Sequence, residues 1–139
     1  MGRKTLLIVT AVAEGGTGLV LLSLPSLGFS LLLGVGHASP EAILVGRIAG
    51  AALLAIGIAS GAASRASGAA AQAGLLAALL VYNVAVATLL GYTGASSGRA
   101  GIALWPAVVL HAGVAAWCIA SLVRCRRGPA PPRGDRRGA

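Results

Sequence analysis

Apolar residues fill four long stretches of this chain, at about 5–24, 41–60, 69–92 and 102–123, and each stretch encloses one strongly polar side chain: Glu14, Arg47, Asn83 and His111. Runs of about 20 residues match a hydrocarbon core about 30 Å thick, so the pattern predicts four membrane-spanning helices. The intervening segments 61–68 and 93–101 are short and rich in glycine and serine, which reads as turns. Short turns make successive helices antiparallel neighbours. The expected fold class is therefore all-α, an integral membrane four-helix bundle with short loops.

Local signals sharpen these boundaries. Ser39-Pro40-Glu41 supplies an N-cap, a proline at the first helical position and an acid in the first turn. Residues 25–37 are too few to cross a bilayer and read as an interfacial or re-entrant segment. The first run follows Arg3 and Lys4, and its Ala11-Val12-Ala13 has the small-residue form of a signal-peptide cleavage site. Because the sequence stays apolar to residue 24, an uncleaved spanning helix is the preferred reading, with cleavage near residue 13 left open.

Composition agrees with the pattern. Hydrophobic residues make up 57% and charged residues only 10%, whereas a soluble domain carries roughly a quarter charged residues. Residues 1–123 form one transmembrane domain. The tail 124–139 holds six of the eleven basic residues, lacks the apolar content for a core and is expected to be disordered. The net charge of +8 thus points to anionic lipid beside the membrane and not to nucleic acid. In a four-crossing topology Arg3, Lys4, Arg65 and the tail share one side and Arg99 lies on the other. That asymmetry makes both termini cytoplasmic. Tyr92 and Trp105 then fall near one interface and Trp117 nearer the other. Cys118 and Cys125 form no disulfide framework or metal motif, and no cofactor signature is present.

The polar quartet is the candidate site, because such groups in hydrocarbon must face protein, find partners or line a wet cavity. At 1.5 Å per residue, Glu14 and His111 each lie about 13 Å from the start of their runs, near mid-membrane, while Arg47 lies roughly 9 Å below the outer edge and Asn83 is placed with it in an outer layer. Two polar layers result, and Glu14 is expected to meet Arg47. Competing readings are an Arg47 that snorkels along its own helix, a Glu14 carried as the neutral acid, an Asn83 that bridges helices and a His111 that only donates to a neighbour. Gly46, Gly50, Gly57 and Gly61 form a small-residue stripe that admits a closely packed helix, within the bundle or from an oligomer.

Val45-Gly-Arg-Ile-Ala-Gly50 with Gly57, then Leu79-Leu-Val-Tyr-Asn-Val84, then Leu104-Trp-Pro-Ala-Val-Val-Leu-His111 together resemble small bacterial inner-membrane proteins of the DoxX-like, four-helix kind. The resemblance covers most of the chain and implies the four-helix architecture and a bacterial cytoplasmic membrane. Glu14 is also similar in placement to the first-helix glutamate of small multidrug resistance transporters. Arg47, His111, the scarcity of aromatic residues and the basic asymmetry depart from that family.

Two functional expectations lead, ahead of a third, a redox or lipid-modifying enzyme. The first is an accessory or structural subunit whose buried polar residues specify helix packing, within a homo-oligomer or a larger membrane complex. The alternative is a small proton-coupled carrier that uses the Glu14 and His111 layer. No paired carboxylates or nucleophile elbow points to an enzyme. The topology is checked by impermeant thiol labelling of intact cells in a background without native cysteines: Ser96→Cys should react from outside, and Ser67→Cys should not.

Overall fold

The computed structural model describes residues 2–96, 98 and 100–126. Five helices run through them: α1 Arg3–Ser23, α2 Pro25–Leu33, α3 Pro40–Arg65, α4 Ala69–Ser96 and α5 Leu104–Arg126. Four of these, all but α2, are long and apolar enough to cross a membrane. The segment expected at the interface is helical, and this adds a fifth, short element to the bundle. The basic tail begins later than expected, since α5 continues through Arg126. Residues 127–139, and Arg99 in the α4–α5 turn, lie outside the described residues.

Sequence chemistry accounts for the boundaries. Leu24 precedes a proline, which disfavours helical geometry there. It takes φ −132° and ψ 59°, ends α1, and leaves Pro25 to open α2. Gly34 closes α2 in the left-handed conformation at φ 66°, the usual place for glycine. Ser39 caps α3 by accepting from the Ala42 amide at 3.3 Å. Like α5, two more helices outrun their expected ends. α3 passes through residues 61–65 because alanines fill that stretch and the Ser64 hydroxyl donates back to the Gly61 carbonyl. α4 passes through residues 93–96, where Thr93 donates to the Leu89 carbonyl.

Packing divides the spanning helices into two antiparallel pairs. α1 lies chiefly on α3 and α4 chiefly on α5, with far less contact between pairs. The α1–α3 seam is a backbone approach built on small residues: a Cβ on Gly50 would stand 2.5 Å from the Leu22 nitrogen, and one on Gly57 would stand 2.8 Å from the Gly15 nitrogen. Gly18 answers from α1, where a Cβ would meet the Leu54 nitrogen at 2.6 Å. Gly46 serves a different neighbour, the Phe29 ring of α2, and Gly61 has only ordinary contact with Ala11.

The pairs converge at one end of the bundle. There Leu6 and Leu7 of α1, Leu76 and Leu79 of α4, and Val114 and Cys118 of α5 form the apolar core. At the other end α2 sits across the bundle. Its last-turn carbonyls, Leu31 and Leu32, accept from the amides of Ala103 and Gly101 at 2.9 and 3.1 Å, so groups that a helix end leaves unpaired are satisfied by the α5 approach. A side chain at Gly101 would collide with the Leu31 carbonyl. Outward-facing positions such as Val12, Leu44, Ile58, Val81, Leu89 and Val109 are exposed and apolar, as a lipid-facing surface requires.

The seam makes a direct prediction. Gly50→Ala should cost about 1–3 kcal/mol, the usual penalty for overpacking. Gly113→Ala, where nothing lies within 4 Å, should be neutral or stabilise by up to about 1 kcal/mol through helix propensity. Unfolding of the detergent-solubilised variants would read both, and equal effects would refute the close seam.

Candidate functional site

The site begins with a carboxyl on the buried face of α1. Glu14 is only 5% exposed. Tyr82 of α4 donates its hydroxyl to Glu14 Oε2 at 3.0 Å, a bond that joins the two helix pairs. Beside it on α4, Asn83 is fully buried and donates from Nδ2 to the Leu79 carbonyl at 2.8 Å. Its Oδ1 lies 2.7 Å from His111 Nδ1 on α5. The Tyr82 and His111 rings meet edge to face, with centroids 5.7 Å apart and planes at 81°, a favoured aromatic geometry. The result is a polar cluster that reaches across three helices at mid-bundle.

Three of the four sequence candidates therefore come together, and the fourth does not. Arg47 is exposed on α3 among exposed Leu44, Val45 and Ile48, with no ion-pair partner among the described residues. The expected Glu14–Arg47 meeting is corrected to Glu14–Tyr82. Gly46 and Gly50 face α2 and α1, which turns the adjacent Arg47 to the outside. Asn83 also leaves the outer layer expected for it, since the contact of its Oδ1 with His111 Nδ1 puts the two side chains at one level.

Glu14, Tyr82 and His111 of this cluster line one end of a cavity of about 620 Å³ between the helix pairs. Its walls are apolar, from Val20 and Leu21 of α1, Val86 and Leu90 of α4 and Leu110 of α5, and α2 contributes Leu31 and Leu32 at the opposite end. Such a volume suits a small organic ligand, and apolar walls with a few convergent polar groups are the common form of a binding pocket. Glu14, Thr17, Tyr82 and His111 are the side chains with hydrogen-bonding groups that face it.

Sequence reasoning missed Tyr82. Its signal was position: a tyrosine in the middle of an apolar run stands away from the membrane interface where such residues usually anchor, and its buried hydroxyl needs a partner. The Thr10 and Ser60 hydroxyls are also buried, without a hydrogen-bond partner among the described residues, on α1 and α3 toward the converging end. No three of the described His, Cys, Asp and Glu residues cluster in metal-binding geometry. Cys118 is a free, buried thiol in the apolar core.

No family model matches the chain, and neither a curated protein nor a solved structure is found similar to it.

A double-mutant cycle tests the cluster. Glu14→Leu and Tyr82→Phe should be non-additive, with a coupling of about 0.5–1.5 kcal/mol for the lost hydrogen bond. Glu14→Leu and Arg47→Met should add to within about 0.5 kcal/mol, as distant sites do. Coupling in the second pair and none in the first, measured by unfolding in detergent, would restore the ion pair.

Proposed function

We propose that this protein is a small carrier of a multi-pass bacterial cytoplasmic membrane, with both termini inside, and that it binds an apolar or amphiphilic molecule between its helix pairs and couples occupancy to a proton at Glu14. The observation that supports this reading is the cavity itself: its walls are hydrocarbon-like, and its polar groups gather at one end. A purely architectural cluster would be expected to be packed over. Here a carboxyl and an imidazole face open space while their other atoms are held by Tyr82 and Asn83. The sparse contact between pairs gives the bundle a seam along which it can open. The basic asymmetry and the DoxX-like resemblance support the location and orientation.

A second reading, the accessory subunit, is favoured by Arg47. A cation exposed at the level of the membrane is costly unless it snorkels or meets a partner. The flanking Leu44, Val45 and Ile48 would form the rest of a helix-packing face toward another copy or a larger complex.

Native mass spectrometry of gently extracted protein separates the two readings. The carrier should retain a small apolar adduct, lost in the cavity-filling variant Ala107→Phe. Adduct retention should change with pH in the parent and stay flat in Glu14→Gln, which keeps an acceptor for Tyr82 but cannot titrate. A parent with no adduct, accompanied by a partner subunit that Arg47→Leu releases, would replace the carrier with the accessory subunit.

A further inference from the structure

Asn83 does more than bridge α4 and α5. Its amide has one orientation that works: Nδ2 must point at the Leu79 carbonyl, since an oxygen there would face another oxygen. Oδ1 is then the group presented to His111, and it can only accept. The contact at 2.7 Å therefore requires His111 to donate from Nδ1. In the neutral ring this leaves Nε2 with a lone pair, as the hydrogen bond at one ring nitrogen sets the role of the other. Nε2 has no protein partner among the described residues, and His111 lines the cavity.

The other two groups at this end of the cavity have the same polarity. Tyr82 spends its only proton on Glu14 Oε2, so toward the cavity its oxygen can only accept. The ionised Glu14 carboxylate is acceptor-only as well. Three acceptors thus converge beneath apolar walls that run to α2, and the one other hydrogen-bonding side chain in the lining, Thr17, stands about one turn along α1 with a hydroxyl that can donate or accept.

We propose that the cavity selects an apolar molecule bearing one hydrogen-bond-donor head, a hydroxyl or amino group, which Asn83 specifies by locking the His111 tautomer. This deepens the carrier reading and rests on it. The donor head bonds to His111 Nε2 or Glu14, and the apolar body lies along Val20, Val86, Leu90 and Leu110 toward α2. Molecules of the same shape with acceptor-only heads bind more weakly, because His111 Nε2 and the Glu14 carboxylate offer them only lone pairs. Asn83 is a positioning residue in this scheme: it does not line the cavity, and it acts through His111. Protonation of Glu14 places a donor where an acceptor stood and weakens the preference. Donor selection and proton coupling thereby become one property of the site.

The test uses the full chain in lipid nanodiscs with three probes of matched length: decanol, decylamine and decyl methyl ether. The protein is labelled with 15N-histidine and carries His37→Gln, so that His111 is the single imidazole. Neutral His111 should show a directly bonded proton at Nδ1 and none at Nε2, and the donor probes should shift Nε2 while Nδ1 stays fixed. Decanol, decylamine or both should bind roughly five- to ten-fold more tightly than the ether, the effect of one hydrogen bond. In Asn83→Leu the Nδ1 proton signature should disappear and the preference should shrink, while the ether's affinity is unchanged.

Equal binding of all three probes would overturn donor selection and leave the carrier reading standing. A proton on Nε2 in the parent would overturn the tautomer lock, whatever Asn83→Leu does to folding. Absence of binding by every probe would remove the inference together with the carrier reading.

Discussion

The hydrogen bond from Tyr82 to Glu14 ties together two helix pairs that otherwise share little contact outside their common apolar end. In water the hydrophobic effect would close such a gap. In lipid it supplies no drive, because the bilayer interior is as apolar as the side chains, and association rests on close packing and on polar contacts between helices. Each pair uses one of these means. α1 and α3 approach through Gly18, Gly50 and Gly57 until backbones touch, whereas α4 and α5 are joined by Asn83 and His111. Between the pairs one buried phenol–carboxyl contact marks where the packed core stops and the cavity begins.

That boundary explains why the two ends of the bundle differ. Toward the converging end the side chains facing inward from α1, α4 and α5 are leucine, valine and cysteine, and they interdigitate. Toward α2 the positions lining the cavity include Gly16, Ala103 and Ala107, too small to meet across the gap. α2 lines that end of the cavity with Gly28, Leu31 and Leu32. It is fixed on one side by Phe29 against Gly46 and on the other by the amides of Gly101 and Ala103. A short helix with paired carbonyls can lie at the membrane boundary because it leaves fewer backbone groups for hydrocarbon to strand.

Periodicity and length made the architecture legible. The four spans, the cap at Ser39 and the break before Pro25 could be read directly because each depends on local backbone chemistry. What stayed hidden depended on one helix's position against another. Glu14 and Arg47 have opposite charges and plausible depths, so an ion pair was the economical expectation. Sequence spacing did not reveal that Gly46 and Gly50 turn the adjacent Arg47 away from α1. Asn83 was set in a shallower layer than His111, and only the contact between α4 and α5 shows the two side chains at one level. Tyr82 escaped notice because a lone tyrosine in an apolar run looks like packing until its hydroxyl's partner is known.

The arrangement of the polar groups also bears on whether the cluster is merely adhesive. An amide alone would have been enough to join α4 and α5, since Asn83 can donate to its own helix and accept from its neighbour. An imidazole as the second partner adds a nitrogen that the bridge does not need, and the structure points that side chain into the cavity. Likewise a tyrosine and a serine could have linked the pairs without a carboxyl. Choosing Glu14 adds an oxygen that Tyr82 leaves unoccupied, at the place where the walls part. In hydrocarbon each surplus polar atom raises the cost of the fold unless something meets it. Two such atoms facing one apolar-walled space are what a site for a polar-headed ligand requires, and they exceed what two helix contacts require.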